Sequence, residues 1–76
     1  MKTVEEFSSV THMIEHLIEQ ENESIARYER TIRQCGDSLV KPLLISIVQE
    51  KREHRGLLER ELEELNEQFE LEEAIV

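Results

Sequence analysis

With 76 residues, two glycines, one proline, no tryptophan and 36% charged residues, the chain has material for one small domain with a thin core. A single cysteine, Cys35, excludes an intrachain disulfide, so self-association or a metal must supply the stability that so small a core lacks. Eighteen acidic residues against nine basic ones give a net charge of −9, which argues against a nucleic acid or an anionic lipid surface as partner.

The longest apolar run, LLISIV from Leu43 to Val48, falls far short of the roughly 20 residues of a membrane span. The opening MKTVEEFSSV has neither the apolar core nor the small-residue cleavage pattern of a signal peptide, and a lone thiol suits a reducing compartment. A cytoplasmic protein is the expectation.

The spacing predicts a first helix over about residues 3–35. Thr3 with Glu6 forms a capping-box start, and Phe7, Val10, Ile14, Leu17, Ile18, Ile25, Tyr28 and Ile32 recur in steps of three and four. The hydroxyl and β-branched side chains of Ser8-Ser9-Val10-Thr11 also allow a start as late as residue 10. Gly36 tolerates the left-handed conformation that closes a helix, and Asp37 or Ser38 can cap the next one.

A second helix follows over about residues 38–70, with Pro42 in its first turn, where a missing N–H costs little. Its stripe is Leu43, Leu44, Ile47, Lys51, His54, Leu58, Leu62, Leu65 and Phe69. The acidic end, from Glu61 to Glu73, reads as a solvated face that frays after about residue 70, or as an attraction for metal cations. The fold class is all-α, a single domain over 1–76. Two helices with one stripe each cannot enclose a core, so the hairpin is expected to pair with a second copy into a four-helix bundle. A plain antiparallel coiled coil fits less well, because the period reads nearer 3.6 than 3.5.

Glu21 is the residue out of place. At about 100° per residue it lies within roughly 20° of the centre of the first stripe, so its carboxylate points inward and needs a cation, a proton or a metal. On the second helix Lys51 and His54 fall within roughly 40° of the stripe centre, with Glu50 at its edge. Antiparallel pairing through the turn at Gly36 brings Glu21 and Lys51 level. His12 and His16 lie on the outer face, and Cys35 reads as a small buried hydrophobe.

Glu21, Tyr28 and His54, within IEQENESIARYE and QEKREHRGLLE, give the chain a resemblance to the ferritin-like superfamily, most closely to encapsulated ferritins and rubrerythrin-type hairpins. The resemblance covers about residues 14–66. It implies hairpins that dimerise to rebuild a di-iron four-helix bundle, with Glu21 as the first-helix ligand, Tyr28 as the aromatic beside the site and His54 as the histidine of Glu-x-x-His. The Glu of that motif falls at position 51, which here is lysine. The resemblance therefore implies iron held by Glu21, His54 and a recruited Glu50, with ferroxidase-type activity weakened or lost through Lys51. The C-terminus, ELEEAIV, lacks the tail of encapsulin cargo, so residence inside a protein shell is not expected.

Two functional readings follow. One is iron binding, with oxidation or storage at a dimer interface. The other is a metal-free oligomeric module of the same fold, a structural or interaction protein in which Lys51 pairs with Glu21.

Overall fold

A computed structural model describes the backbone over residues 4–75 and the side chains of residue 4 and of 8–71. The capping pair lies outside this description, Thr3 wholly and Glu6 by its side chain, as does the side chain of Phe7. Two helices make up the fold: α1 spans Val4–Gln34 and α2 spans Val40–Ile75. They pack along their length as an antiparallel hairpin, a rod 59 × 16 × 12 Å.

The turn forms as its residues dictate. Gly36 takes φ +60°, the left-handed conformation that ends α1, while the Cys35 N–H still donates to the Thr31 carbonyl at 2.9 Å. Pro42 is the third residue of α2, where its absent N–H would have had no helical partner. The second helix begins at Val40 and continues to Ile75, beyond the stretch its apolar stripe marks.

The covered positions differ from the expected stripes: Leu17, Leu43 and His54 are exposed, while Val48 and Arg55, outside the expected stripe, are covered. A seam runs through Thr11, Ile14, Ile18, Glu21, Ile25, Tyr28 and Ile32 of α1 to Cys35 just past its end, and through Leu44, Val48, Lys51, Arg55, Leu58, Leu62, Leu65 and Phe69 of α2; Ser8, Val10, Ser24, Glu29, Lys41 and Ile47 beside it are covered as well. Both rows of the seam alternate steps of three and four, a 3.5-residue period, which is the spacing of a coiled-coil seam and not the 3.6 read from the sequence. A 3.6-residue stripe admits neighbours such as His54 on α2; the 3.5-residue seam puts Arg55 there instead and leaves His54 exposed.

Little of this seam is dry. Among the described residues only Ile25 and Val48 are buried apolar side chains, and Thr11 and Ser24 are buried polar ones. The Thr11 hydroxyl donates to the Ser8 carbonyl at 3.0 Å, which keeps it satisfied within its own helix.

The two glycines should respond in opposite directions. No atom lies within 4 Å of a Cβ added at either. Gly36→Ala forces an L-residue into the left-handed region and should lower stability by about 1 kcal/mol. Gly56→Ala, in mid-helix, should raise it by about 0.5–1 kcal/mol. Urea midpoints at one fixed protein concentration read both; equal shifts for the two variants would contradict the turn geometry.

Candidate functional site

Halfway along the rod the seam carries charge from both helices. The Lys51 Nζ lies 3.9 Å from Glu21 Oε1, and each side chain is 23% exposed. The same ammonium sits 5.7 Å from the centroid of the Tyr28 ring, within cation–π range. Lys51 is level with Glu21, and its long side chain also reaches the Tyr28 ring two turns further along α1, because 3.5-residue spacing keeps Glu21 and Tyr28 on the side of α1 that faces Lys51.

The contact is an ion pair without a hydrogen bond, since 3.9 Å exceeds the 2.7–3.2 Å of an N–H···O bond. Glu21 Oε2 is buried and accepts no hydrogen bond. A buried acceptor left open costs about 1–3 kcal/mol, so the carboxylate is only half compensated within one chain.

Around this layer lies a polar collar. The Arg55 guanidinium, on a seam position, donates to Asn22 Oδ1 at 2.7 Å and lies 3.7 Å from Glu59. Arg52 donates to Glu29 Oε1 at 2.7 Å, with the arginine half exposed and the glutamate partly covered. Exposed pairs of this kind contribute under about 1 kcal/mol each, but the direction of both bonds from α2 to α1 fixes the alignment of the helices. Arg55, Asn22, Arg52 and Glu29 play no part in the sequence reading. The signal that finds Arg55 is the alternation from Leu44 in steps of four and three, and an arginine tolerates such a seam position because its long stem lets the charged head bond at the rim.

The expected metal ligands are not brought together by one chain. Glu21 is on the seam, whereas Glu50 and His54 are exposed on the flank of α2, each one residue before a seam position. Lys51 keeps its ammonium inward on Glu21, so the space a recruited Glu50 would need is not vacated. Among the described residues no three His, Cys, Asp or Glu side chains converge on a point that could hold a metal ion. Iron therefore does not fit the single chain: a cation approaching Glu21 would meet the ammonium, at about 4 kcal/mol for unit charges 4 Å apart in an effective dielectric near 20. His12 and His16 are exposed, as expected, and the half-buried Cys35 donates its thiol to the Ile32 carbonyl at 3.4 Å.

Comparison with known proteins adds nothing to this geometry: no family model, curated protein or solved structure matches the chain. No helix among the described residues is long and apolar enough to cross a membrane.

A double-mutant cycle measures the seam pair. Lys51→Met leaves the Glu21 carboxylate without its countercharge and should destabilise more than Glu21→Gln does. The double variant should recover part of the loss, with a coupling of about 1 kcal/mol. Strictly additive effects would show that the two groups do not interact in solution.

Proposed function

We propose that this chain is a self-associating helical module, a structural or interaction protein in which copies of the hairpin pair into four-helix bundles and the Glu21–Lys51 pair takes the place a metal centre holds in ferritin-like proteins. The Lys51 ammonium, held against Glu21 and over the Tyr28 ring, carries this reading. It supplies in covalent form the positive charge that a carboxylate in a four-helix bundle otherwise draws from iron. Two chains bring two lysines and two Glu21 carboxylates, and these neutralise one another with no ion needed.

The pairing also gives the layer a structural use. A charged pair in the seam stabilises little by itself, because desolvation offsets most of the Coulombic attraction. It is strongly selective for alignment, since shifting one helix by a turn sets each charge against apolar neighbours with no partner.

A second reading, a ferritin-like iron protein oxidising or storing iron where two chains meet, is favoured by one observation: the buried Oε2 of Glu21 has no hydrogen-bond partner. A second chain would have to supply what completes it.

Titration with Fe(II) under air, followed by absorbance, separates the two. The proposal expects no binding at stoichiometric iron and an unchanged oligomer in chelator, while Lys51→Glu, which restores Glu-x-x-His, should gain binding. Tight iron binding by the wild type that survives Lys51→Ala would overturn the proposal in favour of the iron protein.

A further inference from the structure

Of the chain's three histidines, two stand four residues apart. His12 and His16 both belong to α1, both are exposed, and neither side chain makes a hydrogen bond or ion pair among the described residues. Residues at this spacing leave a helix from one face, with Cβ atoms about 5–6 Å apart. Two imidazole nitrogens held by one Zn²⁺ at about 2.0–2.1 Å and a tetrahedral angle lie about 3.3 Å from each other. Staggered rotamers bring the two rings to that separation without any movement of the backbone. At about 100° per residue both histidines fall on the side of α1 opposite the seam, so an ion there touches neither Glu21 nor Lys51.

The surroundings of the pair favour a cation. From Thr3 to Ala26 the sequence holds six glutamates and neither lysine nor arginine. Glu15 follows His12 by three residues and Glu19 follows His16 by three, both exposed, so a carboxylate flanks each imidazole along the same face. Other places that draw a cation lack this combination. In the seam the Lys51 ammonium meets whatever approaches Glu21. A shallow groove lined by Ser24, Arg27, Tyr28, Thr31 and Leu44 presents a guanidinium and no carboxylate. His54, the third histidine, has Lys51, Arg52 and Arg55 within three residues of it.

We infer that His12 and His16 chelate a late first-row divalent cation, Zn²⁺ or its neighbours Ni²⁺ and Cu²⁺, with water in the remaining coordination positions. A site with two protein ligands agrees with the absence, among the described residues, of any three metal-binding groups that converge. Imidazole pairs hold these ions more tightly than Fe(II), and far more tightly than Mg²⁺ or Ca²⁺, which prefer oxygen. The inference is independent of the function proposed above, because the pair lies outside the seam. An ion that bridges the two residues fastens one turn of α1 and stabilises the folded chain in proportion to its occupancy.

Titration of the full chain with Zn²⁺ by calorimetry tests the site, and every side chain substituted in it is exposed. The wild type should bind Zn²⁺, and excess Mg²⁺ should not displace it. His12→Ala and His16→Ala should each weaken binding at least about tenfold, since a single imidazole loses the chelate, while His54→Ala should leave it unchanged. His16→Ala/Leu17→His keeps three histidines but sets the second ring about 140° around the helix from the first, and should bind as weakly as His16→Ala. No Zn²⁺ binding by the wild type, or wild-type affinity in the variant with the moved histidine, would overturn the inference.

Discussion

The hairpin has to be arranged around a lysine and a glutamate that face each other halfway along its seam. Neither can be buried alone, and neither is released to water at 23% exposure. The alignment of the helices follows from that meeting. With Glu21 level with Lys51, Ile25 lies level with Val48, the two apolar side chains that are buried, and Tyr28 lies level with Leu44 beside the groove. Arg55 and Arg52 then reach Asn22 and Glu29 across the seam.

That constraint explains why so thin a structure has a defined register. Seam residues that are all apolar leave the helices free to slip by a heptad at modest cost, because any apolar layer accepts any other. A single charged layer removes that freedom. The 3.5-residue spacing keeps the layer in the seam over the whole length, where a 3.6-residue stripe would drift out of contact by about 20° per heptad.

Much of this was legible in the sequence, and the misses have physical causes. Gly36 marked the turn, Pro42 the first turn of α2, and Glu21 the inward carboxylate level with Lys51, because each rests on a local rule about φ, N–H groups or burial. His54 was misplaced because its neighbour Arg55 is an arginine. A charged residue is discounted when an apolar stripe is traced, so the trace slid one position to a histidine that the known Glu-x-x-His motif also favours. The difference between 3.5 and 3.6 residues per turn becomes visible only when Arg55 is admitted as a seam residue. The ion pairs that flank the seam were not legible at all, since they depend on the relative rotation of two helices that the turn alone does not set.

What occupies the space beside Glu21 when copies of the chain meet decides between a module with a metal-free seam and an iron protein. A crystal structure of the assembled protein grown with Fe(II), with anomalous data at the iron edge, looks at that place directly. Lys51 Nζ against Glu21 in every chain and no anomalous peak is the expected result. A peak bounded by Glu21, Glu50 and His54, with Lys51 turned out to solvent, would contradict it.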